Sequence, residues 1–252
     1  MLCLHLFVSL FCIIPLFANC IEDQWYAMKE SALADYSMQR LSLSIDQIHS
    51  ILDQGMELAS RTKIINSLSK GGSAIFPHTY ITKCGDQIAA VAQASLAACQ
   101  STGKNQILVI GVLHSLTSTL AEARKREMDG IDISTDPCRG IFGPGLPNEE
   151  LLCKEFSLDN FIFLLEHAAK RIGMPLPKVI VRYPNLIYGQ PELISGIEEL
   201  KLLAKESIVV ATSDLCHHGV AYGVSLDKTF PISKEGYEFA CKIIERKSTP
   251  FI

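Results

Sequence analysis

The sequence lacks a basic field. Its 252 residues carry 23 Lys and Arg against 27 Asp and Glu, a net charge of −4. No local block of Lys and Arg supplies what the total lacks. Nucleic acid and anionic lipid are recruited by such fields, so no nucleic-acid partner is expected. Phosphate cradles are missing too: neither G-x-x-x-x-G-K-S/T nor G-x-G-x-x-G occurs, which removes the usual nucleotide enzymes. The nine cysteines form no C-x-x-C pair and no zinc-finger spacing. There is no internal repeat, low-complexity tract or interdomain linker. With 48% hydrophobic and 20% charged residues, the composition is that of an ordinary globular chain. Its length suits one good-sized domain.

The first twenty residues lack Asp, Glu, Lys and Arg altogether, and Glu22 and Asp23 end the run. A spanning helix needs about 20 apolar residues, and Pro15 interrupts this stretch near its end. Residues 1–20 therefore read as a signal peptide ahead of a body at 21–252, giving a secreted or periplasmic protein. An uncleaved or lipidated anchor through Cys20 is the alternative, and that leader is the chain's one expected membrane contact. A start-site artefact would leave the protein cytoplasmic. Six cysteines remain in the body. Export makes disulfides possible, but Cys99, Cys153 and Cys241 are expected as small core residues.

Periodicity organises the rest. Residues 27–69 read as helical, with Leu33, Met38, Leu41, Ile45, Ile48, Ile51, Leu52, Met56 and Leu58 in threes and fours. Short apolar runs then alternate with amphipathic ones. Strands are expected at Ser73–Phe76, Gln106–Val112, Lys178–Tyr183 and Ile208–Thr212, the second buried on both faces. Helices are expected at Gly85–Gln100, Ser157–Ile172, Pro191–Lys205 and Lys234–Lys247. Residues 129–149, with four Gly and three Pro, read as a long irregular excursion. Alternating strands and helices predict a single α/β domain, its mainly parallel central sheet flanked by helices.

Three of the predicted strands run into histidine. Ser73–Phe76 leads through Pro77 to His78, Gln106–Val112 through Gly111 to His114, and Ile208–Thr212 to Asp214, Cys216, His217 and His218. Parallel strands share one carboxyl edge, where open α/β folds bind ligands. Imidazole suits Zn, Cu, Fe and Ni, and two histidines with a carboxylate suit non-haem Fe(II). His78 and His114 are the first candidates for a metal, with His217 or Asp214 as the third ligand. The alternatives are a satisfied loop histidine and, for Asp214, a turn or cap carboxylate. Cys216 beside His217 is a further, weaker candidate for a nucleophile.

These segments resemble the Memo family, whose bacterial members are called AmmeMemoRadiSam system protein B. Pro77-His78-Thr79-Tyr80 with Cys84-Gly85 resembles P-H-A-G-Y…G, and Ile110-Gly111-Val112-Leu113-His114-Ser115 resembles L-G-P-S-H-H. Thr212-Ser213-Asp214-Leu215-Cys216-His217-His218-Gly219 resembles S-S-D-F-C-H-W-G, Gln24-Trp25-Tyr26 an early S-W-Y, and Glu155-Phe156-Ser157-Leu158-Asp159 an E-H-S-L-E. The resemblance implies a fold like the class III extradiol dioxygenases (LigB-like), with His78, His114 and His217 lining a metal-site cleft. Asp214 and His217 match the cleft aspartate and third histidine and would do the chemistry. Phe156 replaces a histidine and Asp159 a glutamate, while Leu113 and Ser115 differ around His114. The chain stops at Ile252, before the C-G-R-x-P-like segment that carries the family's last ligand. Two functions follow as expectations. One is an Fe- or Cu-dependent oxidoreductase, Zn being possible, acting on a small molecule. The other is a non-enzymatic module holding an anionic or peptide ligand in a degenerate metal site.

Overall fold

The computed structural model describes residues 31, 33–114, 117–186 and 191–213. The chain divides into two units, Met1–Ser213 and Asp214–Ile252, and every described residue lies in the first. The leader, the helix expected at Lys234–Lys247, and Asp214, Cys216, His217 and His218 all lie outside the described residues.

The described part is α/β. Five strands, β1 (Ser73–Phe76), β2 (Gln106–Ile110), β3 (Gly140–Phe142), β4 (Lys178–Asn185) and β5 (Ile208–Thr212), form a sheet of order β1-β5-β2-β4-β3. The three pairings among β1, β5, β2 and β4 are parallel, and β3 joins β4 antiparallel at one edge. Phe76 is level with Thr212, and Ala211 with Ile110, so β1, β5 and β2 end at the same height. Ile107, Leu108 and Val109 of β2 are fully buried. Since side chains alternate across a strand, β2 is covered on both faces, as its unbroken apolar run predicts.

The helices divide where local chemistry interrupts the long helical reading. A first helix, α1, covers 33–42. Ser44 then starts α2 (Ile45–Glu57) with a capping box: its hydroxyl accepts from Gln47 N while Gln47 Oε1 accepts from Ser44 N. Leu58 leaves α2 in an extended conformation, and α3 (Arg61–Ser69) follows. The single expected stretch over 27–69 is therefore at least three helices. Next, α4 (Ile81–Thr102) is longer than expected and ends on left-handed Gly103 (φ 73°). It packs against α2, α3 and α6 (Asp159–Arg171) as well as β1, β2 and β5. Gly55 permits the α2–α4 contact, since a Cβ there would lie 2.8 Å from Ala89 Cβ. Phe76 of β1 stacks on Phe161 of α6 at 4.4 Å, and both are buried. Burying each such side chain contributes about 1.5–3 kcal/mol.

Three further expectations are corrected. The irregular 129–149 stretch contains β3, three buried residues that are too few to show periodicity. The helix expected over Pro191–Lys205 splits into a short 3-10 turn, Pro191–Leu193, and α7 (Ile197–Glu206). Gly196 makes the break, at φ 87° with its Cβ position 3.2 Å from Ile141. A helix at Ser118–Met128, α5, has no counterpart in the sequence reading. Thr117 caps it, and Leu120 and Ala123 are its buried residues. Cys84, Cys99 and Cys138 are buried thiols, but Cys153 is exposed, contrary to expectation, where the chain leaves a 3-10 turn at Glu149–Leu152. Burial pushes the Cys99 thiol up to about 11. Among the described residues no helix is long and apolar enough to cross a membrane.

Candidate functional site

His78 lies two residues beyond β1, and His114 four residues beyond β2. Because these strands end level with each other, the two imidazoles meet at the carboxyl edge of the sheet. Their ring centroids are 5.1 Å apart and the rings stand edge to face at 80°. The convergence expected of strands that end in histidine is present for these two. Asp214 and His217, expected at the same edge, lie outside the described residues.

Each ring is oriented by an acceptor behind it. His78 is buried, with Nδ1 2.9 Å from Thr212 Oγ1. The Thr212 hydroxyl has one proton, and it donates to Phe76 O at 3.0 Å. It can then only accept from His78, which places a proton on His78 Nδ1 and, in the neutral ring, the lone pair on Nε2. Ser213 N also donates to Phe76 O, at 3.1 Å, so this anchor belongs to the ladder between β1 and β5.

His114 is held by a carboxylate. Glu155 Oε1 accepts from His114 Nδ1 at 2.9 Å, and Oε2 accepts from the His114 backbone N at 2.7 Å. The amides of Phe156 and Ser157 also donate to Oε1, at 2.9 and 2.8 Å. The Glu155 side chain is 3% exposed. Burial by itself would push this carboxyl up. The His114 ring and the amides outweigh burial and hold it below its ordinary value. An ionised carboxylate only accepts, so His114 Nδ1 carries a proton, and in the neutral ring the lone pair lies on Nε2.

One segment braces both histidine loops. Ser157 Oγ donates to Val112 O at 2.9 Å and accepts from Val112 N at 3.3 Å. Asn160 Nδ2 donates to Thr79 O, beside His78, at 2.9 Å. Asn160 and Asp159 are in turn gripped by Arg40 of α1 at 3.0 and 2.8 Å. From the other side Arg124 of α5 donates to Leu113 O at 2.6 Å, and burial lowers the pKa of its guanidinium. Gly111 is required at the end of β2, because a Cβ there would lie 2.3 Å from the Tyr183 ring. Phe156 stacks on His114 at 4.3 Å and 13°, and Tyr36 lies against Phe156 at 5.0 Å. The residue that stands where the family motif has histidine thus forms an aromatic wall behind the ring.

Two imidazoles with Nδ1 hydrogen-bonded are, when neutral, a donor set that fits a transition metal through Nε2, and a carboxylate behind a ligating histidine is the usual second layer of such sites. Among the described residues no group of three His, Cys, Asp or Glu is placed to hold a metal ion. Of the three histidines expected to share a metal, His78 and His114 are the two that lie among the described residues.

Comparison of the chain with protein-family models, with curated proteins and with solved structures gives no match.

Proposed function

We propose that the chain is a Memo-like protein with the cleft of the class III extradiol dioxygenases, binding Fe or Cu through His78 and His114. The observation that carries this reading is the pair of imidazoles 5.1 Å apart, each with Nδ1 engaged by an acceptor of its own. The sequence candidates for a third ligand, Asp214 and His217, lie outside the described residues. Zinc fits the same donors. A bound redox metal would supply electron transfer or O₂ activation. The protein's own contribution is orientation. Thr212 and Glu155 hold the rings, Glu155 keeps a negative charge close behind one of them, and Phe156 shields a ring face from water.

The alternative, a module for anionic or peptide ligands, fits the charge less well. Glu155 is an ionised carboxylate in contact with His114, so it favours a cation over an anion at the same rim.

Elemental analysis of the purified full chain tests the proposal. About one iron or copper per chain is expected, falling to background in the His78→Ala, His114→Ala double variant and reduced in His217→Ala. Wild-type protein that stays metal-free after reconstitution with both metals ends the metal reading.

A further inference from the structure

A cavity lies away from the histidine rim. A crevice of about 260 Å³ is bordered by α3, α4 and α6, with Leu96, Ala97, Ala168 and Ile172 among its apolar lining and Arg61 and Gln93 among its polar lining. On α4, Leu96 is roughly four turns beyond Ile81, about 22 Å along the axis, so the crevice is separate from the imidazoles.

Its polar atoms are unmatched. The Gln93 side-chain NH₂ donates to Leu52 O at 3.0 Å, which fixes the orientation of the amide. Gln93 Oε1 is then buried with no hydrogen-bond partner among the described residues, and Arg61 Nε is in the same condition. Arg171 also borders the crevice, but its guanidinium is engaged by Asp53 at 2.7 Å and by His49 O at 3.2 Å. The residues bordering the crevice thus include a cation and a neutral amide, each with a buried atom that has no partner among the described residues, beside an apolar wall. Buried polar atoms are nearly always paired, and a native exception points to a missing partner. The volume lies just below the usual range of about 300–1,000 Å³ for ligand pockets, so that partner is small.

We propose that this crevice binds a small aliphatic acid with a hydrogen-bond donor on the carbon next to its carboxylate: an α-amino or α-hydroxy acid of about leucine's size. The carboxylate takes the Arg61 guanidinium, the neighbouring N–H or O–H donates to Gln93 Oε1, and the branched end lies against Leu96, Ala97, Ala168 and Ile172. Both polar atoms are shielded in the resting rotamer. Arg61 is the first residue of α3 and is only half-buried, and the proposal requires its side chain to rotate for the ligand to enter. The site is independent of the metal reading.

Calorimetric titration of the full chain with L-leucine and with 2-hydroxy-4-methylpentanoate is the test, and the stronger of the two identifies the natural class. Saturable binding of one ligand per chain is expected. 4-Methylpentanoate, which lacks the donor, should bind about tenfold more weakly, and Arg61→Gln should weaken the first two ligands by a similar factor. Ala97→Met fills the crevice from a half-buried position and should abolish binding while leaving the melting temperature nearly unchanged. If Ala97→Met melts early, Arg61→Gln decides alone. No saturable binding of either probe up to about 20 mM means that the crevice holds only water and overturns the proposal. Binding that survives both substitutions also overturns it, because the ligand then sits elsewhere.

Discussion

His78 and His114 face each other across the same rim with the same proton position, yet the groups behind them differ in kind. His78 rests on the neutral hydroxyl of Thr212, itself tied to Phe76 O in the sheet ladder. His114 rests on the ionised Glu155, which also receives three backbone amides. One anchor is a by-product of strand pairing and touches the ring alone. The other folds the loop and orients the ring with a single carboxylate. The two histidines should therefore fail differently. Damage behind His114 should spread into stability, and damage behind His78 should remain with the ring.

The largest effect is expected from Glu155→Ala. It leaves the His114 Nδ1–H and three amides without their acceptor in a nearly closed site. Breaking a buried charged network in this way costs about 3–5 kcal/mol, readable as a drop in the denaturant midpoint. Glu155→Gln keeps the shape and should lose less. Acid unfolding sharpens the point. Because the folded pKa of Glu155 lies below its ordinary value of 4.5, the stability it contributes is full above that value and drains away as pH falls through the folded pKa. Wild type should lose stability in this acid range faster than Glu155→Gln, and superimposable acid curves would contradict the assignment.

Gly111→Ala comes next. The new methyl would meet the buried Tyr183 ring at 2.3 Å, and overpacking of this kind costs about 1–3 kcal/mol. The strain falls on the His114 side alone. Thermal unfolding should show the loss, and Tyr183→Leu in the same chain should recover part of it. An unchanged melting temperature would mean that the β2 exit has more room than the structure shows.

Much of this arrangement is legible in the sequence because it rests on short-range rules. The β-branched run at Ile208–Thr212 marks β5 to the residue, and the carboxyl-edge rule brings His78 and His114 together without a contact map. The helices of 33–69 are less legible. Their apolar spacing continues across the breaks, and only the Ser44/Gln47 pair signals one. Charged α5 and three-residue β3 carry too little periodicity to be found. Glu155 and Thr212 are present in the resembling motifs, but nothing local gives them their roles. Glu155 meets His114 from 41 positions away in the sequence, and Thr212 meets His78 from 134. The unmatched Arg61 and Gln93 atoms are a property of packing and have no sequence signature at all.

The smallest effect separates the two anchors most cleanly. Thr212→Val keeps the shape of the side chain and removes one buried hydroxyl, leaving the His78 Nδ1–H without its acceptor at a cost of about 1 kcal/mol. The informative readout is the ring. With the hydroxyl gone, nothing in the ladder selects Nδ1 as the protonated atom. Nitrogen NMR of the histidine side chains should show His78 moving toward a tautomer mixture while His114, still on Glu155, stays put. Metal retention should fall by less than in His78→Ala, because the imidazole remains and only its orientation loosens. A His78 tautomer that does not respond would show that Thr212 donates to the ring, leaving the tautomer to another partner. If His114 shifts as well, the two anchors act as one network and the contrast between them collapses.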